Sequence, residues 1–228
     1  MRSLLSGEQK LGLDDAYSVE TPEDNIRLYA DWASTYESDF VASNGYVGYL
    51  RVVEQLAQRL PDFDAKIIDV GCGTGVCGDA LSRLGFSTID GIDISAAMLA
   101  EAARKVRDNG GPVYRQLLQA DLTQTIAIDD GTYDGLVCAG TFTHGHLGPE
   151  SLNEVWRIAA PGSICSIGIN ANHYRDAGFA AKIAEDDERQ VISLIDLVDI
   201  ETYTTPQPDV TPGNDRAKVL VCSVNARA

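Results

Sequence analysis

Between residues 66 and 75 the chain reads Lys-Ile-Ile-Asp-Val-Gly-Cys-Gly-Thr-Gly, an order that few backbones accept. Ile67, Ile68 and Val70 make a short apolar run of the kind that lies buried in a parallel sheet covered on both faces. Gly71, Gly73 and Gly75 follow, and an apolar-periodic segment begins at Val76. A strand, a bare-backbone loop and a helix start are therefore expected in succession. Glycines so closely spaced carry a backbone-entropy cost that an ordinary turn does not need. The cost is explained if a ligand must approach the main chain, because the next helix opens with unpaired N–H groups and a partial positive charge. The loop is read as a cradle for a carboxylate or a phosphate.

Glycine spacing separates two readings of that ligand. A dinucleotide fingerprint places glycines first, third and sixth, but here Val76 holds the sixth place. The pattern Asp-x-Gly-x-Gly-x-Gly, from Asp69 to Gly75, instead resembles the first motif of the class I S-adenosylmethionine-dependent methyltransferases. That resemblance implies S-adenosyl-L-methionine as the cofactor, its methionine end held by Asp69, Gly71, Cys72, Gly73 and Gly75.

The rest of the chain alternates in a way that suits this reading. Thr21-Pro22-Glu23-Asp24 is a helix start, with a capping side chain, a proline in the first turn and acidic residues after it. The predicted helix carries Ile26, Tyr29, Ala30, Ala33 and Tyr36 at three-and-four spacing, with Trp32 and Phe40 alongside. A second helix runs from Tyr46 to Leu60 and stops at Pro61. Helices are then expected at 76–84, from Ser95 to Val106, at 149–158 and at 174–188, with strands at 87–92, 113–118, 133–139 and 163–169 between them. Such alternation means a Rossmann-like, mostly parallel sheet with right-handed crossovers and helices on both faces. Two final extended runs, 191–204 and 217–224, are joined by a proline-rich loop at 206–213 without a helix, so they should pair antiparallel and complete a seven-stranded sheet. Residues 1–60 are read as an arm with cap helices and 61–228 as the core domain.

In open parallel sheets ligands sit beyond the carboxyl ends of the strands. Asp93, with Ile94, follows the second strand, where a carboxylate can accept both ribose hydroxyls. The resemblance implies that Asp121 takes an adenine amino group and the Leu122 backbone a ring nitrogen, that Met98 packs under the adenine, and that Cys138-Ala139 pass beneath the methionine arm. It also makes Tyr29, Trp32 and Tyr36 an aromatic lid, which suits a sulfonium cation. The segment Gly140-Thr-Phe-Thr-His-Gly-His146 is the expected substrate edge, and His144 and His146 are the candidate bases, since histidine titrates near neutrality. His173 is a further rim position. With Tyr-x-x-Trp-Ala at 29–33, this segment is similar to the Williams–Beuren-region methyltransferase-like group.

Composition narrows the partners. With 34 acidic against 18 basic residues the net charge is −16, a field that repels polyanions, and no basic stripe offsets it. A small-molecule substrate is expected, not a nucleic acid. Five scattered cysteines without metal spacing favour reduced thiols in a cytoplasmic protein, and neither a signal peptide nor a membrane span is legible. A chain of 228 residues can bury ~70% of its unfolded surface, so no staple is needed.

Overall fold

The structure, a computed structural model, describes residues 21–143, 146–204 and 215–226. The arm before residue 21 and the proline-rich loop at 206–213 lie outside the described residues. One sheet takes strands from Lys66–Val70 (β1), Thr88–Asp93 (β2), Gln116–Gln119 (β3), Tyr133–Phe142 (β4), Ala159–Asn170 (β5), Ile192–Glu201 (β6) and Arg216–Val224 (β7). Their order is β3-β2-β1-β4-β5-β7-β6. β1 to β5 are parallel, and β7 runs antiparallel between β5 and β6. The expected seven-stranded, mostly parallel Rossmann-like sheet with an antiparallel end is present.

Alternation along the strands builds the two faces. Ile68, Val70, Leu136, Cys138, Leu220 and Cys222 pack into one core cluster, whereas their neighbours Ile67, Val137, Val219 and Val221 join the other. The first face is covered by Leu152–Ile158 (here α5) and Phe179–Glu188 (α7), through Trp156, Phe179 and Ile183. The second is covered by Gly48–Ala57 (α2) and Val76–Arg83 (α3), through Val52, Leu56, Cys77 and Leu81. Each fully buried Leu, Ile or Phe contributes about 1.5–3 kcal/mol. A third cluster, Trp32, Phe40 and Tyr203 with Tyr29, Tyr36 and Tyr46 packed on it, fastens Pro22–Trp32 (α1) over the strand ends.

The second helix is shorter than expected, Gly48–Ala57, and the one expected at 149–158 opens with a 3-10 turn at Pro149–Ser151; in three other helices a side chain or glycine competes with the helix. α1 stops at Trp32 and a π-helical turn, Glu37–Ala42, carries on. There the hydroxyls of Ser38 and Ser43 donate to the carbonyls of Thr35 and Ser38, the local alternative that hydroxyl residues offer to helical bonds. Ala96–Ala102 (α4) ends before Val106, because the Arg107 guanidinium collects the carbonyls of Phe86, Ser87, Pro112 and Val113 and pins the following segment as a loop. The helix expected at 174–188 is split into Ala171–Asp176 (α6) and α7 by Gly178, whose φ of 88° no helix accommodates. Among the described residues no helix is long and apolar enough to cross a membrane.

Candidate functional site

The strand order turns at β1 and β4, where the sheet's connections leave in opposite directions, and a crevice opens there beyond the carboxyl ends. It holds about 1040 Å³. Gly71, Cys72, Gly73, Thr74, Asp93, Ile94, Met98, Asp121, Leu122 and Ala139 all line it. Asp93 and Asp121, 28 positions apart in sequence, meet in one cavity because β2 and β3 are neighbours whose register pairs Asp93 with Gln119.

The three loop glycines turn out to do different things. Gly73, with φ of 52°, has nothing within 4 Å of where a Cβ would stand, so its main chain faces open cavity. At Gly71, φ 65°, a Cβ would come within 2.0 Å of the Thr141 hydroxyl oxygen on β4. Gly75, φ 92°, lies behind the cavity, where a Cβ would stand 2.9 Å from the Tyr114 ring. Gly78 makes room for the same ring at 2.3 Å. The third glycine thus gives Tyr114 space to reach Asp69.

That contact places Asp69 in the support of the loop, away from the cavity wall. Its side chain is fully buried, Oδ2 accepts the Tyr114 hydroxyl at 2.6 Å, and Oδ1 has no partner. Burial lifts its carboxyl to about 7, against the lowering effect of the Tyr114 hydroxyl and the Gly78 N–H. Tyr114 itself accepts the Gly78 N–H at 3.2 Å, joining β1 to the first turn of α3. Asp93, half-buried, braces the loop from the other side: Oδ2 accepts the Gly73 N–H and Oδ1 the Ser95 N–H, both at 2.8 Å. Burial raises its pKa, opposed by those backbone donors. Each carboxylate oxygen can accept a further bond, so Asp93 can hold the loop and still take a hydroxyl. The Asp121 Oδ1 accepts both the N–H and the hydroxyl of Thr123 at 2.8 Å.

Trp32 and Cys138 are not on the cavity wall. Trp32 is 1% exposed and stacks beneath Tyr29, with centroids 6.1 Å apart, because the turn after α1 rolls it into the cap cluster. Cys138 points from β4 into the core, where burial pushes its thiol up to about 12. Tyr29 and Tyr36 do line the cavity, as does His146, whose Nε2 lies 3.3 Å from the Tyr29 hydroxyl. His144 lies outside the described residues. His173 meets the Leu147 carbonyl at 2.9 Å and packs on Phe179.

A second chamber of about 690 Å³ adjoins the first. They share Tyr29, Tyr36, Tyr46, Ala139, Gly140 and His146 as a common wall. Beyond that wall the second chamber is lined by Phe40, Phe142 and Tyr203, with Asn170 and Arg216 among its polar residues. Tyr46, Thr74, Asn170, Tyr203 and Arg216 are site residues that the sequence did not disclose, whereas Thr141 belongs to the expected substrate edge. Thr74 stood within the legible motif. The others come from strand ends and turns that no periodicity links.

The first cavity also fits the expected cofactor. Open main chain at Gly73, two carboxylates on one wall, and a buried Thr74 hydroxyl without a partner suit a ligand that carries hydroxyls, a carboxylate and a positive charge. Residues 67–162 match the family described as methyltransferase domain. That segment is a methyltransferase domain, and the sequence relatives and the fold support a class I S-adenosylmethionine-dependent methyltransferase family. S-adenosylmethionine is the cofactor of this family.

Among relatives of this chain, human methyltransferase-like protein 27 is 28% identical over 160 residues, covering 69% of this chain and 62% of that protein. The ubiquinone biosynthesis O-methyltransferase of Actinobacillus pleuropneumoniae serotype 5b is 33% identical over 97 residues, 42% of this chain and 40% of that enzyme. The 18S rRNA (guanine-N(7))-methyltransferase of Bos taurus is 42% identical over 76 residues, a third of this chain (33%) and a quarter (25%) of that enzyme. The chain thus spans less than two thirds of the length of these relatives. Among solved structures, the cyclase SpnF superposes with a TM-score of 0.67 at 17% identity, covering 92% of this chain and 98% of that one. A TehB-like SAM-dependent methyltransferase from Corynebacterium glutamicum superposes with a TM-score of 0.58 at 23% identity, covering 86% and 98%.

Proposed function

We propose that this protein transfers a methyl group from S-adenosylmethionine to an oxygen, nitrogen or sulfur nucleophile of a small molecule seated in the second chamber. The observation that carries the reading is the shared wall: two chambers, one suited to the cofactor and one lined with rings, meet at Tyr29, Ala139, Gly140 and His146. When bound, the sulfonium supplies an activated methyl group with a neutral leaving group. Main chain at Gly71 and Gly73, with Asp93 and Asp121, holds the nucleoside and amino-acid ends. Tyr29, Tyr36 and Tyr46 exclude water from the wall and offer ring faces to positive charge. Alignment of this kind can lower a barrier by ~7–11 kcal/mol. His146, steadied by the Tyr29 hydroxyl, is placed to accept a proton from the nucleophile where the reaction requires it.

The second chamber's wall of rings with a few polar groups is the composition of a small-molecule pocket. The net charge of −16 disfavours an rRNA substrate, although one relative of part of the chain is named for rRNA. Five free, buried cysteines accord with a cytoplasmic setting. In this reading 61–228 is the catalytic core, and α1 with the π-helical turn caps it. The fold by itself does not dictate the reaction, as the cyclase neighbour shows, so the test is direct. Calorimetry should give heat with S-adenosylmethionine and with S-adenosylhomocysteine, and a panel of phenols, amines and thiols should yield at least one methylated product. His146→Ala should lower the rate at least tenfold without weakening S-adenosylhomocysteine. Binding with no turnover across the panel would leave a non-catalytic cofactor-binding module, and absence of binding would reject the reading altogether.

A further inference from the structure

The second chamber, taken with the methyltransferase reading on which this rests, has a chemical asymmetry that its ring-rich wall hides. Among the described residues no aspartate or glutamate lines it, and its one formally charged lining side chain is Arg216 at the start of β7. Arg27, 3.8 Å from Asp24, and Arg107, whose guanidinium holds four backbone carbonyls, lack a carboxylate within hydrogen-bond range, but neither lines this chamber. Arg51, Arg59, Arg83, Arg104, Arg115, Arg157, Arg175 and Arg189 each hydrogen-bond a carboxylate or an amide oxygen. The Arg216 guanidinium instead approaches Glu201 no closer than 4.0 Å, beyond hydrogen-bond range, with both side chains largely exposed at the chamber mouth.

Asn170 supplies the second half of the observation. It ends β5 beside β7, where its register partner is Ala217, the residue after Arg216. Its Oδ1 is committed to capping α6, accepting the N–H groups of Asn172 and His173 at 3.0 and 3.1 Å. The cap leaves the Asn170 amide NH₂ as the group it can offer, and Asn170, 9% exposed, lines the chamber. Both groups are donors. An acidic chain repels anions at long range, so donors without acceptors at one spot mark a place where a small oxyanion is held by short-range bonds.

We infer that the second chamber takes a substrate with an anionic end and an apolar ring-bearing body, its oxyanion, most simply a carboxylate, held by Arg216 and Asn170. The body lies among Tyr36, Phe40, Tyr46 and Tyr203, and the nucleophile reaches the wall shared with the cofactor chamber, at His146. Arg216 is then a specificity-determining residue, remote from the reacting atoms.

The test uses the whole chain saturated with S-adenosylhomocysteine and three probes of one shape: 3-phenylpropionate, 3-phenylpropanamide and 3-phenylpropylamine, titrated by calorimetry. The carboxylate should bind about tenfold more tightly than the amide, the size of one charge-assisted contact. Arg216→Gln should abolish that preference and Arg216→Lys restore part of it, while the affinity for S-adenosylhomocysteine stays the same in all three proteins. Equal binding of carboxylate and amide, tightest binding of the amine, or no binding of any probe would overturn the inference. A protein that fails to bind S-adenosylhomocysteine yet prefers the carboxylate, measured without the nucleoside, would refute the methyltransferase reading and spare the anion site.

Discussion

Replacing Asp69 with asparagine should change how stability depends on pH in a direction and amount that the structure specifies. Asp69 is fully buried, its Oδ1 has no partner, and its carboxyl titrates at about 7 in the folded chain. In the unfolded chain the same group titrates at about 3.9. The folded state therefore holds the proton more tightly. Stability from this group is complete below pH ~3.9 and is lost as pH rises toward 7, at ~1.36 kcal/mol per unit where the difference is fully expressed. Between pH 5 and 8 the integrated loss is about 2.5 kcal/mol. The side-chain amide of the Asp69→Asn protein cannot ionise, and its carbonyl can still accept the Tyr114 hydroxyl, so the variant lacks this loss while every other titration is common to both proteins. Urea unfolding at half-unit steps from pH 5 to 8 should show the variant gaining on the wild type by about 2.5 kcal/mol across the range, on top of a constant offset from its new buried N–H donors. A difference that stays flat, or that moves in favour of the wild type as pH rises, would refute a protonated Asp69 behind the loop.

Two further substitutions probe the loop. Gly71→Ala puts a Cβ 2.0 Å from the Thr141 oxygen on a backbone with φ of 65°, so it should cost at least about 2 kcal/mol in thermal or urea unfolding and weaken S-adenosylhomocysteine. Thr141→Ala in the same chain, which removes the hydroxyl and the methyl a Cβ would meet at 2.0 and 2.8 Å, should recover part of the loss. Asp93→Ala removes the acceptor of the Gly73 and Ser95 N–H groups, each such bond to a charged partner being worth roughly 1.5–3 kcal/mol, and should lower cofactor affinity at least tenfold by calorimetry. Unchanged affinity would show that the loop holds its shape without that carboxylate.

What the sequence determined by itself was the order of the elements and the place of the glycine loop at the tip of β1. Buried β-branched runs, glycine punctuation and helix caps are local signals, and the residues at the tips of successive parallel strands converge by topology alone. Asp93 and Asp121 therefore meet as read from the chain. Helix ends were less legible, since Arg107 halts α4 by capturing carbonyls from two other segments. Which residues touch the cavity was decided only by tertiary structure. Asp69 and Gly75 belong to the same legible motif as Gly73, yet Tyr114, some forty residues away, draws the first into the core and claims the space beside the second. The second chamber was invisible for a related reason: Asn170, Tyr203 and Arg216 share no period and no motif. They become neighbours because β7 turns back antiparallel between β5 and β6, which places the ends of three strands at one opening.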